Sequence, residues 1–283
     1  MSAPDSTDPG STDPDAAQAA STDPGATDPA STEPDLETRL RTGEIEVLGR
    51  MPWSSNATFL VEVHPPDTDC TEFDRPGVVG ELGRPGDGSV RGVYKPHRGE
   101  RPLWDFPDGL YLREIAAYHL AGALGWDLVP LTVPCEGPLG TGSLQLFVEA
   151  DFEQHYFTLY EDEDLHAQLE QMCAFDIVAN NTDRKSGHVL IDADRHLWGI
   201  DNGLSFHAEF KLRTVIWEFG GRRFSQEVAD GLTRVLDGEL PEPLSEPLDS
   251  FERDALRTRA RALLSNARFP TDASGRRYPW PLV

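Results

Sequence analysis

The sequence predicts an α+β protein in which a β-rich lobe precedes an α-rich lobe, with a short hairpin at the centre. Between residues 45 and 150, short runs rich in β-branched residues are bounded by glycine and proline, which is typical of strands. After residue 160, apolar residues recur at helical spacing. Hydrophobic residues make up 38% of the 283 residues, so the chain can bury a sizeable core.

The first 36 residues are of low complexity, and the unit Ser-Thr-Asp-Pro occurs three times among them. They hold eight acidic residues but no basic and no aromatic residue. Such a segment cannot bury enough apolar surface to offset the loss of chain entropy on folding. We therefore expect three parts: a disordered acidic tail over 1–36, an N-terminal lobe over 37–150 and a C-terminal lobe over 151–283.

The N-terminal lobe is predicted to be mainly sheet. Its strands are expected at 45–48, 58–63, 89–95, 128–133 and 144–148. One main helix is predicted over 112–124, with apolar residues on more than one face. The segment 65–88 is polar and contains several glycine and proline residues, which indicates a long surface insertion.

The C-terminal lobe is predicted to be mainly helical, with helices at 165–179, 225–236 and 250–265. Two short strands at 189–191 and 197–200 flank a polar turn, which indicates a hairpin. Asp176 lies among apolar neighbours, so we expect it to make a buried hydrogen bond to the loop that follows. The last helix carries four arginines that we expect on a solvated face: Arg253, Arg257, Arg259 and Arg261.

The charge and cysteine content exclude several classes of protein. The formal net charge is −24, and an acidic surface repels phosphate backbones and anionic lipids, so we expect no nucleic-acid partner. Cys70, Cys135 and Cys173 lack metal-ligand spacing, which fits a reducing compartment. No secretory signal and no membrane-spanning apolar run is apparent, so the sequence predicts a soluble cytoplasmic protein. The sequence does not determine its oligomeric state.

Two polar motifs flank the predicted hairpin. Asn-x-Asp-Arg-Lys-x-x-His occupies 181–188, and Ile-Asp-Asn-Gly occupies 200–203. Two carboxylates at the mouth of one hairpin can face each other across a cleft, and Mg²⁺ takes a few hard oxygen ligands while sharing the rest with phosphates. One of Asp183 and Asp201 can therefore hold a metal while the other orients or deprotonates a hydroxyl nucleophile.

These motifs resemble the catalytic and metal-binding loops of the PI3/PI4-kinase-like and HipA-like branch of the protein-kinase fold. A Lys-Leu-Arg-Thr segment at 211–214 makes the chain similar, more narrowly, to an actinobacterial PI3/PI4-kinase-like family. The resemblance implies a bilobal protein-kinase-like fold, with one main helix in the β-rich N-lobe and the catalytic-loop hairpin in the α-rich C-lobe. It also implies a phosphotransferase that uses ATP and Mg²⁺ and moves the γ-phosphate to an acceptor hydroxyl.

The resemblance implies a role for individual residues. Asp183 takes the place of the residue that accepts or orients the substrate proton, and Lys185 stands where it could stabilise charge on the transferred phosphoryl group. Asp201 takes the place of the Mg²⁺ ligand. Lys95 takes the place of the lysine that binds the α/β-phosphates, and Glu114 is placed to pair with it.

The resemblance also implies nucleotide contacts outside these motifs. The phosphate-covering loop would fall between the first two strands, where Ser54, Ser55 and Asn56 would supply hydroxyl and backbone donors. The segment 145–150 would be the hinge against adenine. Phe147 and Glu149 are therefore predicted nucleotide contacts.

Two features depart from the family's pattern. His188 stands where a second metal-binding asparagine is expected, which makes it a predicted metal ligand and makes Mn²⁺ an alternative to Mg²⁺. No Ala-Pro-Glu-like motif follows Asp201. Besides a kinase acting on a protein, lipid or small-molecule hydroxyl, three functions stay open: a nucleotide-binding pseudokinase, an AMP transferase and a metal-dependent hydrolase.

Overall fold

The computed structural model of the protein describes residues 35–52, 54, 56–65 and 88–282. The predicted acidic tail lies outside the described residues except for Asp35 and Leu36, and so do residues 66–87 of the insertion predicted over 65–88. Asp35 is the N-cap of the first helix, because its carboxylate accepts the backbone N–H of Thr38 at 2.7 Å.

An antiparallel sheet of five strands, in the order β1-β2-β3-β5-β4, makes up most of the N-terminal lobe. Its strands are β1 Glu44–Arg50, β2 Phe59–His64, β3 Val90–Pro96, β4 Thr132–Gly137 and β5 Gly140–Leu146. The register places Lys95 of β3 opposite Ser143 of β5. Each of the five predicted strands overlaps one strand of this sheet.

The fourth predicted strand is wrong in its position. It was expected over 128–133, but β4 begins at Thr132. Pro130 has no backbone N–H and so cannot take part fully in a ladder. The backbone before it bonds elsewhere, because the carbonyl of Leu128 accepts the N–H of Gly199 at 2.6 Å.

The described helices comprise four long and three short ones. They are α1 Leu36–Thr42, α2 Leu110–Leu124, α3 Tyr156–Leu159, α4 His166–Ala179, α5 Gln226–Asp237, α6 Glu242–Ser245 and α7 Ser250–Asn266. The long helices confirm the predicted ones. The short helices were not predicted, because four to seven residues carry no readable helical period. Within the described ranges, no helix is long and apolar enough to cross a membrane.

Helix α2 is covered on both sides, as the sequence predicted. It packs against β4 and β5 of the sheet and against α5 and α6 of the helical lobe. Leu120 and Leu124 are fully buried. Arg113 on the same helix is buried as well, where it donates to Glu252 of α7 at 2.6 Å. This helix therefore connects the two lobes by both apolar packing and a buried ion pair.

The predicted hairpin is confirmed as β6 Val189–Ile191 and β7 Leu197–Gly199. Its turn is fixed by Asp192, whose carboxylate accepts the N–H groups of Asp194 and His196. Three of the four arginines of α7, by contrast, do not form the solvated face that was expected. Arg253 donates to the carbonyl of Ser245 at the end of α6, Arg257 donates to carbonyls at the end of α5, and Arg259 is buried.

Candidate active site

An ion-paired chain of three side chains crosses from the sheet to the hairpin. The ammonium group of Lys95 pairs with Glu114 of α2, and it lies 2.9 Å from Oδ1 of Asp201. The Glu114 side chain is 4% exposed, and its second oxygen accepts the backbone N–H of Asn202 at 2.9 Å. Glu114 thus contacts both the strand that carries Lys95 and the loop that carries Asp201.

The start of α2, which positions Glu114, is held by a carboxylate. The oxygens of Glu100 accept the N–H groups of Gly109, Leu110 and Tyr111 at 2.7–3.1 Å. These are orphan donors of the first helical turn, and a negative charge is favoured at this end of a helix.

The charges of Lys95, Glu114 and Asp201 stabilise one another. Burial by itself would lower the pKa of Lys95, but Asp201 and Glu114 outweigh it, so the pKa is raised and the ammonium group stays charged. The same ammonium group holds the pKa of Asp201 well below its usual range. Asp201 has a φ of 58°, in the left-handed region, which costs a non-glycine residue about 1–3 kcal/mol.

The loop that carries Asp183 begins where α4 ends, at Asn180 in the left-handed conformation. The side chain of Asn181 accepts the N–H of Asp183 at 2.9 Å, which fixes the turn. Lys185 lies 3.1 Å from the Asp183 carboxylate. Desolvation raises the pKa of Asp183, and the neighbouring Lys185 opposes that shift.

A buried network fastens this loop to the hairpin. Asp176 and Arg184, both fully buried, form an ion pair at 3.0 Å, so the predicted hydrogen bond from Asp176 to the loop is confirmed. Arg184 also donates to the carbonyl of Ile200 and to Asn202, both at 2.7 Å. No role was predicted for Arg184 or Asn202, although they follow Asp183 and Asp201 directly in the two motifs.

His188 lies beside Asp201, with its Nε2 3.5 Å from Oδ2. Burial lowers the pKa of His188 to about 4, so the ring is neutral near pH 7. Its Nδ1 accepts a long hydrogen bond from the N–H of Lys185 at 3.4 Å, so the neutral ring carries its hydrogen on Nε2. That hydrogen would have to move to Nδ1 before Nε2 could bind a metal.

A cleft of about 280 Å³ adjoins these residues. Its polar lining includes Lys95, Asp201 and His188. Its apolar part is lined by Val93, Leu146, Phe147, Val148, Phe152, Leu190 and Ile200. A smaller cavity of about 40 Å³ is lined by Lys95, Glu114, Asp183 and Asp201, so the two predicted acidic residues share one space.

The predicted loop and hinge residues differ in their placement. Ser54 and Asn56 line the smaller cavity, although the side chain of Asn56 accepts the N–H of Arg101 at 3.0 Å. Ser55 lies outside the described residues. Phe147 lines the cleft, whereas Glu149 is exposed and is not among its lining residues. The nucleotide-binding roles of these residues stay predictions.

The donor set suits a hard divalent cation. Asp201 is 51% exposed, so its carboxylate is accessible to an ion, and carboxylate oxygens are the ligands that Mg²⁺ prefers. Among the described residues, more compact groups of metal-ligand side chains occur elsewhere, at Glu46–Glu62–His64 and His97–Glu100–Asp108. A metal at the cleft would therefore rely on Asp201 together with groups from a bound phosphate.

The five-stranded sheet, the bridging helix α2 and the helical lobe with its hairpin define a bilobal protein-kinase-like fold. The chain is similar to the crystal structure of the Golgi casein kinase with Mn/ADP bound, with a TM-score of 0.51 and 15% identity, over 88% of this chain and 80% of that one. The Helicobacter pylori proinflammatory kinase CtkA gives a TM-score of 0.45 at 10% identity, over 81% of this chain and 94% of that one.

The sequence is also similar to that of a bacterial protein. It is 37% identical over 279 residues to Protein Rv2133c of Mycobacterium tuberculosis, which covers 86% of this chain and 93% of that protein. The chain therefore belongs to the same family as Protein Rv2133c. No family model matches the sequence.

Proposed function

We propose that this protein is an ATP-dependent phosphotransferase that moves the γ-phosphoryl group of ATP to an acceptor hydroxyl. The observation that carries the proposal is the ion-paired chain Glu114–Lys95–Asp201, which adjoins both the cleft and the small cavity that Asp183 lines. The Golgi casein kinase, which shares the fold, holds Mn and ADP, which supports a nucleotide and a divalent metal as cofactors here. We propose Mg²⁺ or Mn²⁺ for that metal.

The cleft would hold the nucleotide by two kinds of contact. Val93, Leu146 and Phe147 supply apolar surface suited to an adenine ring. Lys95 remains charged and would donate to phosphate oxygens, while Glu114 keeps it oriented. Asp201 would hold the divalent metal, which when bound neutralises charge on the phosphates.

Asp183 and Lys185 would act on the acceptor. Asp183 lies in the cavity beside Asp201, and its raised pKa makes it a better proton acceptor than an ordinary carboxylate. It would take the hydroxyl proton as the acceptor oxygen bonds to the γ-phosphorus and the bond to the β–γ bridging oxygen breaks. Lys185, 3.1 Å away, would offset charge on the transferred group.

The finer assignment is part of the same proposal. The resemblance to an actinobacterial PI3/PI4-kinase-like family and to HipA-like kinases rests on the motifs at 181–188 and 200–203. It does not choose between a protein, a lipid and a small-molecule acceptor. A second candidate, a nucleotide-binding pseudokinase, is favoured by one observation: His188 presents an N–H, rather than a free lone pair, toward Asp201.

Turnover and binding of ATP separate these two candidates. We expect the native chain to hydrolyse or transfer the γ-phosphate, and Asp183→Asn to reduce the rate by about a hundredfold or more while ATP still raises the melting temperature. Asp254→Asn, an exposed aspartate of α7, is the matched control and should leave turnover unchanged. A melting shift with ATP but no turnover in the native chain would support the pseudokinase instead.

A further inference from the structure

A groove of about 600 Å³ opens on the helical lobe and shares no lining residue with the ATP cleft described above. It lies between the C-terminal half of α7, the end of α4 and the segment 268–271. Ile177, Leu263 and Phe269 are buried beneath it and give it an apolar floor. Its volume is in the range of small-molecule pockets, which is roughly 300–1,000 Å³.

Arg259 of α7 lines this groove and is buried, with 9% of its surface exposed. Its Nε donates to the carbonyl of Val178 at 2.9 Å, and its Nη1 donates to the carbonyl of His207 at 3.2 Å. Its Nη2 is buried and has no hydrogen-bond partner in the described part of the chain. A buried donor left unpaired is costly, and a ligand acceptor that reached this atom from the groove would remove that cost.

The charge of Arg259 is also unusual for this protein. The two other arginines that are buried in the described ranges each pair with a carboxylate, Arg113 with Glu252 and Arg184 with Asp176. Across the described residues, no carboxylate lies within ion-pair distance of Arg259. Burial lowers its pKa to about 10, against the opposing effect of Glu252. A buried guanidinium without an anionic partner is an unfavourable arrangement that a bound anion would relieve.

A second guanidinium lies at the groove. Arg268 is exposed and donates to the carbonyl of Gly221 at 2.6 Å, again without a carboxylate partner among the described side chains. The groove thus combines an apolar floor with two cationic groups. This pattern fits a ligand that is apolar over most of its length and negatively charged at one end.

We propose that this groove binds an amphipathic carboxylate, with the carboxylate on Arg259 and the apolar body over Ile177, Leu263 and Phe269. The guanidinium group offers the carboxylate charge-assisted hydrogen bonds, and the apolar chain removes the floor of the groove from water. This proposal is independent of the proposed phosphotransfer, because binding needs neither ATP nor the residues of the cleft.

Decanoate, used below its micelle-forming concentration, is the probe, and calorimetry on the full chain measures its binding. We expect one decanoate per chain, with decan-1-ol binding about tenfold or more weakly because it lacks the charge. Arg259→Met keeps the length and apolar stem of the side chain and should weaken decanoate binding by about the same factor. Arg261→Met, an exposed arginine on the same helix, is the matched control and should bind decanoate as the native chain does.

A further variant covers the case in which Arg259→Met fails to fold. Ala262 is exposed and lines the groove, so Ala262→Trp fills the space while leaving Arg259 in place, and it should abolish decanoate binding. The proposal is overturned if the native chain does not bind decanoate. It is equally overturned if decan-1-ol binds as tightly as decanoate, or if Ala262→Trp leaves binding unchanged.

Discussion

The buried pair of Asp176 and Arg184 offers the clearest quantitative test of how the candidate site is held. Asp176→Asn removes the negative charge but keeps the shape of the side chain. Asp176 accepts from Arg184 at 3.0–3.2 Å and from the hydroxyl of Thr214 at 3.0 Å, with both members of the ion pair fully buried. The substitution therefore leaves a guanidinium without its counter-charge in the interior.

Breaking a buried pair from one side costs about 3–5 kcal/mol. For a chain of this size, we expect a fall in melting temperature of about 6–20 °C, since each kcal/mol corresponds to about 2–4 °C. Urea unfolding followed by tryptophan fluorescence measures the free energy directly. Asp254→Asn, an exposed aspartate on α7, should change it by less than about 0.5 kcal/mol. A loss below about 1 kcal/mol for Asp176→Asn would show that the network does not hold the loop.

Three further predictions follow from the site. Lys95→Met leaves the Glu114 and Asp201 carboxylates without their shared cation, and ATP turnover should fall about a hundredfold or more in a coupled assay. Burial lowers the pKa of His188 from 6.5 to about 4, so only the unfolded chain takes up this proton as the pH falls through that window. Stability in urea should therefore decrease from pH 6.5 to 4, and His188→Asn should make that decrease smaller; an unchanged slope would contradict the assignment. Gly142→Ala places a Cβ against the carbonyl of Lys95 and should lower the free energy of unfolding by about 1–3 kcal/mol, whereas an unchanged value would mean that β3 and β5 can separate freely.

The sequence predicted the long elements because their patterns are local. Runs of β-branched residues and helical periods report burial on one or two faces, and these faces are buried in the sheet and in α2, α4, α5 and α7. β4 begins later than predicted because the backbone at Leu128 bonds to Gly199 of the hairpin, a long-range contact that no local pattern reports. The short helices depend on capping and packing rather than on a period.

The proximity of Asp183 and Asp201 could be predicted because the two motifs that contain them flank one short hairpin. Asp183 and Asp201 share a cavity because a short hairpin returns the chain to its starting point. The contacts of Arg184 and Arg259 could not be predicted from the sequence, because they depend on which carbonyls and carboxylates lie near these side chains in the folded protein. A charged residue in a helical pattern looks the same whether its face is solvated or covered by another helix.

If this cleft transfers the γ-phosphoryl group of ATP, the α- and γ-phosphates of one ATP molecule must have different fates, and labelling each of them separately distinguishes the two. The chain is incubated with each labelled ATP in Mg²⁺ or Mn²⁺, alone and with candidate acceptors, beside Asp183→Asn and Asp201→Asn. We predict that the γ-label leaves ATP and the α-label stays in the free nucleotide, and that both variants stop the release. Transfer of the α-label to an acceptor would contradict the claim in favour of AMP transfer, and retention of both labels by the native chain would contradict catalysis altogether.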